Sequence, residues 1–97
     1  MVSMSPAKAL MDEFAAEAKR LKNEQQYEAA SAFDNAESLV NNIMHGEPFD
    51  DVASRVRAAL IYNSMHRVLD PVQQQAYLAA VELLDTFVAV RQLELEA

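Results

Sequence analysis

Apolar residues recur along this chain at intervals of three and four, the spacing at which one side of an α-helix repeats. Ala7, Leu10, Met11, Phe14, Ala18 and Leu21 form the first such stripe, and it is narrow. Ser5-Pro6 precedes it: a serine N-cap offers an acceptor for orphan amides, and proline at the first helical position loses no hydrogen bond. Lys19, Arg20 and Lys22 fall in the last turn, where cations suit the helix dipole. The spacing predicts a helix over residues 6–22.

Asn23-Glu24-Gln25-Gln26 interrupts the pattern. A second helix is predicted over 25–44, with Ala29, Ala32, Phe33, Ala36, Leu39, Val40, Ile43 and Met44 on its buried face. Glu24, Glu28, Ser31, Asn35, Ser38 and Asn42 fall opposite. Gly46, the only glycine, stands where a left-handed C-terminal cap is expected, and Pro48 follows.

A third helix is predicted over 49–69, with Asp50 and Asp51 at its positive end. Its apolar face divides. Phe49, Val52, Ala53, Val56 and Leu60 share one side, whereas Ile61, Met65, Val68 and Leu69 lie opposite, so a bend or two different neighbours are expected. Asp70-Pro71 reads as an N-cap and first helical residue, opening a fourth helix over 71–94. Ala76, Ala79, Ala80, Leu83, Phe87 and Val90 form one stripe along it, with Tyr77, Val81, Leu84 and Val88 beside it as a second. One packed face needs a stripe only about 100° wide. The second stripe is therefore expected to be surplus and to serve self-association through Ile61, Met65, Tyr77, Val81, Leu84 and Val88, most simply in a homodimer. Tyr62, Tyr77 and Phe87 are the expected aromatic anchors.

The expected fold class is all-α: a single domain over residues 1–97 in which four antiparallel helices make two helical hairpins in a small bundle, with residues 1–4 flexible. Composition agrees. The chain is 52% hydrophobic with one glycine and three prolines, too few turn-formers for a sheet-rich fold of this length. Cysteine is absent, so disulfides, thiolate metal sites and cysteine nucleophiles drop out together. No basic segment followed by an apolar run opens the chain, and the most apolar stretch, residues 76–90, is broken by Glu82 and Asp85. The expected location is cytoplasmic.

Charge sharpens the functional reading. Eight Lys and Arg oppose fifteen Asp and Glu, a net of −7. Residues 1–22 set four cations against three acids, and residues 55–97 set five acids against four arginines, so the two ends cancel. Glu24, Glu28, Asp34, Glu37, Glu47, Asp50 and Asp51, in a middle segment without Lys or Arg, carry the excess. Such a block is expected to face a partner protein with a basic surface. It argues against direct nucleic-acid binding and against anionic membranes.

Candidate chemistry is sparse. His45 and His66 lack the Glu-x-x-His spacing of bundle metal sites; His45 is read as a helix C-terminal cation and His66 as a partner of Asp70. All-helical nucleotide pyrophosphohydrolases bind magnesium through Glu-Glu-x-x-Glu and a later Glu-x-x-Asp. Glu82-Leu83-Leu84-Asp85 is similar to the second element. Asp12-Glu13-Phe14-Ala15-Ala16-Glu17 misses the first by one residue, which swings a carboxylate about 100° around the helix. No nucleophile elbow or glycine-rich phosphate loop occurs. No catalytic residue, cofactor or metal is expected.

Gln26-Tyr27-Glu28-Ala29-Ala30, with Phe33 and Ala36, resembles the turn and second helix of a tetratricopeptide repeat. The turn glycine is missing, the later aromatic and alanine are shifted by one position, and no second copy follows. The resemblance implies hairpin packing and no family. The expected function is that of a non-catalytic adaptor or regulator that binds a partner protein. The alternative is an acidic inhibitor, of the kind phages direct against host defence enzymes, that occupies a nucleic-acid-binding surface.

Overall fold

The Ser5 hydroxyl accepts a hydrogen bond from the Lys8 amide at 3.1 Å, and Pro6 takes the first helical position. Helix α1 (Pro6–Asn23) therefore begins where the sequence places it. The computed structural model describes residues 5–66 and 70–96, and in it α2 (Tyr27–Ile43), α3 (Phe49–His66) and α4 (Pro71–Glu96) follow. The fold is all-α: α1 with α2 and α3 with α4 form two antiparallel hairpins of a small bundle. Among the described residues there is no strand, and no helix is long and apolar enough to cross a membrane. The expected flexibility of residues 1–4, the extension of α3 to residue 69 and the pairing of the His66 side chain lie outside what is described.

The α1–α2 turn closes as a Schellman motif. The Gln26 amide donates to the Leu21 carbonyl at 2.8 Å and the Gln25 amide to the Lys22 carbonyl at 3.0 Å. Gln25 takes the left-handed position, with φ of 63°, which removes it from α2 and starts that helix at Tyr27 rather than at 25. A residue with a Cβ pays about 1–2 kcal/mol there, whereas glycine does not. Gly46, with φ of 72°, is the left-handed residue in the connection after α2. The two positions predict opposite outcomes. Gln25→Gly should gain about 0.5–1 kcal/mol, reduced somewhat by greater freedom of the unfolded chain. Gly46→Ala should lose about 1 kcal/mol, and nothing lies within 4 Å of the added Cβ, so the loss is purely conformational. Urea unfolding measures both, and shifts of the same sign would contradict the turn assignment.

Asp70 caps α4 as expected, its carboxylate accepting from the Gln73 amide at 2.9 Å, and Pro71 follows as the first helical residue. Acidic Asp50 and Asp51 occupy the first turn of α3.

Helix α2 lies at the centre and packs on the other three helices. Ala30, Ala32 and Ala36 are fully buried, and their small side chains let the neighbours approach closely. Helix α3 packs on both α2 and α4, two different neighbours as expected; Ile61 rests against the core, and Val68 and Leu69 lie outside what is described. Val52, Val56, Leu60 and Ser64 continue one buried line, while Met65 is 70% exposed. Ser64 hides this line in the sequence. Its hydroxyl donates to the Ile61 carbonyl at 2.7 Å, so a polar residue sits in the core at little cost.

The α4 stripe expected to be surplus is internal, while the stripe expected to be internal is buried only in part, at Ala76 and Ala80 and half-buried at Leu83 and Phe87. Tyr77, Val81 and Leu84 are buried inside the monomer, together with Ala76 and Ala80, and Val88 packs against the same core. Ala79 and Val90, from the stripe expected to be internal, are exposed. Two polar contacts accompany this orientation: the Asn35 amide donates to the Tyr77 hydroxyl at 3.0 Å, and Arg57 of α3 binds Asp85 with two hydrogen bonds. Helices α1 and α4 both rest on α2 but make little contact with each other.

Candidate functional site

The seven acidic residues expected to face a partner do not form one unbroken array. Arg20 pairs with Glu24 and also with Glu17, Lys22 reaches Asp34 at 2.8 Å, and Arg55 reaches Glu47 at 2.9 Å. Glu47 buries its second carboxylate oxygen without a partner. Lys8 is held above its ordinary pKa chiefly by the hydrogen bond to Asp12, with Glu37 adding a smaller attraction. Asp50 and Asp51 stay exposed at the start of α3. An array that imitates phosphate spacing is thus interrupted by cations at Glu24, Asp34 and Glu47.

Glu28 meets an acid instead. A hydrogen bond with Asp70, then the charge of Asp70, raises the Glu28 carboxyl above its ordinary pKa. Asp70 is lowered, first by the Gln73 amide and then by the Glu28 hydrogen bond. Glu28, raised in the folded state, adds stability at low pH that is lost as pH rises through its folded value. Asp70, lowered, adds stability at higher pH that is lost as pH falls through its folded value. Glu28→Gln supplies a donor toward Asp70 at every pH, where the ionised carboxylate has none, and removes the repulsion. The variant should melt about 1–2 °C above the parent at pH 7, and the gap should close below about pH 4. Thermal melts at the two pH values check this, and a lower melting point at pH 7 would contradict it.

The residues expected to mediate self-association are mostly used within the monomer. Tyr77, Val81 and Leu84 are buried, Ile61 and Val88 pack against the core, and only Met65 of the six is exposed. Of the expected aromatic anchors, Tyr62 is 59% exposed and Phe87 is partly buried. His45 is exposed beyond the end of α2.

What the packing leaves open is the seam between α1 and α4. A groove of about 720 Å³ runs along it, walled by Ala9, Glu13 and Glu17 of α1 and by Glu82, Leu83, Phe87, Val90 and Glu94 of α4, with Phe33 of α2 as floor. It continues past Glu17, Phe33 and Ala79 into a second hollow of about 500 Å³ that reaches Leu21 and Val72. Phe33 rests on Phe14, with ring centroids 6.3 Å apart, and Phe87 rests on Phe49 at 5.8 Å, so core aromatics support the floor and one wall. Among the described residues Glu13, Glu82 and Glu94 have no ion pair, and Glu17 is taken by Arg20. Arg91 also lines the groove, its guanidinium 5.0 Å over the Phe49 ring in a cation–π arrangement.

The groove gathers part of the set tested against the pyrophosphohydrolase pattern. Glu13, Glu17 and Glu82 line it, but Asp85 turns away to Arg57 and Asp12 to Lys8. Among the described residues no three His, Asp or Glu side chains converge closely enough to hold a metal ion.

The seam was not anticipated from the sequence. The signal was the contrast between the narrow stripe of α1, enough for one neighbour, and the broad apolar surface of α4. Compared with known proteins, the chain matches no family model, no curated protein and no solved structure.

Proposed function

We propose that this chain is a non-catalytic adaptor or regulator that acts in the cytoplasm by binding another protein along the α1–α4 seam. The observation that carries the reading is the seam itself: two helices rest on a third without closing on each other, and the space between them has an apolar floor. Small helical proteins ordinarily fill such a space with their own side chains. Here Ala79 and Val90 stay exposed while the core beneath them is fully packed. Helix-in-groove recognition uses open apolar channels of this kind. Five of the six residues that suggested a homodimer are buried in or packed against the core, so the reading favours a different protein as partner.

Site-specific photo-cross-linking tests the reading. A cross-linking side chain at Val90, inside the seam, should capture a defined partner protein from the native host, and one at exposed Asn42 of α2 should not. Ala79→Trp, which obstructs the seam from an exposed position, should remove the Val90 adduct. Equal adducts from both sites, or none from either, would refute the seam as the binding surface.

A further inference from the structure

The charge and shape of the seam identify the chemistry of its occupant. We infer that it docks a basic amphipathic α-helix of a partner protein, an inference that rests on the protein-binding reading above. Length is the first argument. The α1 residues bordering the seam run from Pro6 to Leu21, which at a rise of 1.5 Å per residue is roughly 22 Å, or about four helical turns. An extended strand would leave backbone donors and acceptors unmatched against these side-chain walls, whereas a helix satisfies its own.

Pattern is the second. Phe33, Leu83, Phe87 and Val90 offer an apolar track suited to anchors at i, i+3 or i+4, and i+7 of an incoming helix. Charge is the third. Glu13 stands on one wall and Glu82 and Glu94 on the other, all without an ion pair among the described residues. Lys or Arg residues flanking the apolar stripe of the occupant would meet carboxylates on both sides. Two cations also line the seam: Arg20 is neutralised by Glu17 and Glu24, and Arg91, drawn over the Phe49 ring, is outnumbered by the three unpaired carboxylates. A second copy of the chain fits poorly, because two molecules of net charge −7 meeting at this seam would bring like carboxylates together.

The test uses two labelled synthetic helices of about fifteen residues with identical leucine stripes, one flanked by lysine and the other by glutamate. Fluorescence anisotropy against the full chain should show saturable binding of the lysine peptide and at least roughly tenfold weaker binding of the glutamate peptide. Affinity for the lysine peptide should fall severalfold between about 50 mM and about 300 mM salt. Glu13→Lys with Glu82→Lys should weaken it at least roughly tenfold, whereas Asp50→Lys with Asp51→Lys, an equal change of net charge outside the seam, should not. Circular dichroism confirms that both double variants are folded. Ala79→Trp provides an uncharged block whose effect should match that of the seam reversal. Equal loss from both reversals would reduce the binding to general attraction by an acidic protein and overturn the inference. So would equal binding of the two peptides, or a concentration-dependent dimer that Ala79→Trp abolishes. Capture of a protein at Val90 combined with no preference for the lysine peptide would leave the protein-binding reading standing and remove only the basic helix.

Discussion

Leu84→Asn is expected to remove most of the stability of the protein, whereas Val90→Asn on the same helix should shift the melting temperature by no more than about 2 °C. Leu84 is 1% exposed and Val90 is 48% exposed, although both are apolar residues spaced for helical packing. Truncating the Leu84 packing and burying an amide without partners combine a cavity loss of about 2–5 kcal/mol with a desolvation cost of about 1–3 kcal/mol. A domain of this size has about 5–15 kcal/mol in total. At Val90 the new amide remains in water. The same pair separates core from interface: were Leu84 a self-association residue, Leu84→Asn would give a folded monomer. Thermal melts followed by circular dichroism, with light scattering on whatever stays folded, distinguish the two outcomes.

The second stripe of α4, buried in the monomer rather than surplus, shows where local pattern stops being informative. Helix existence, the Ser5-Pro6 and Asp70-Pro71 starts and the stop around Gly46 were legible, because each rests on residues a few positions apart. The orientation of α4 is a matter of partners far off in the chain, as where Asn35 meets Tyr77 and Arg57 meets Asp85 across separations of 42 and 28 residues. Nothing in a single sequence pairs those positions. Gln25 illustrates a smaller gap: the left-handed residue after α1 is not glycine, so turn chemistry gave no sign of it. Ser64 illustrates another, since a hydroxyl satisfied by its own helix looks like a break in an apolar line.

The acidic block was legible as composition but not as a surface. Lys22 and Arg20 belong to α1 in the sequence, yet folding the first hairpin sets Lys22 against Asp34 of α2, while Arg20 meets Glu24 one turn on at the end of α1 itself. The carboxylates left for a partner at the seam are then Glu13, Glu82 and Glu94, which the sequence presented as charges balanced within near-neutral ends. Net charge by segment says where acids lie along the chain. Which of them stay unpaired depends on the helices that folding brings beside them.

Phe14→Ala is expected to cost about 3–5 kcal/mol, the range for truncating a fully buried phenylalanine. Phe14 is completely buried on the inner face of α1 and packs against Phe33, the residue that floors the seam. Removing its ring leaves a void beneath that floor. The surrounding helices can close it only partly, because buried alanines on α2 already hold the backbones near one another. Phe14→Leu retains most of the volume and should cost about 1–2 kcal/mol. Urea unfolding at neutral pH with an unchanged m-value would measure both losses as changes in native-state packing. The ordering carries a consequence for function. If the seam depends on a floor held from below, Phe14→Leu should weaken binding of the lysine-flanked helix although Phe14 itself is out of reach of any ligand. A Phe14→Ala loss below about 1 kcal/mol would show that α1 is not anchored through this aromatic pair, and the floor of the seam would need another support.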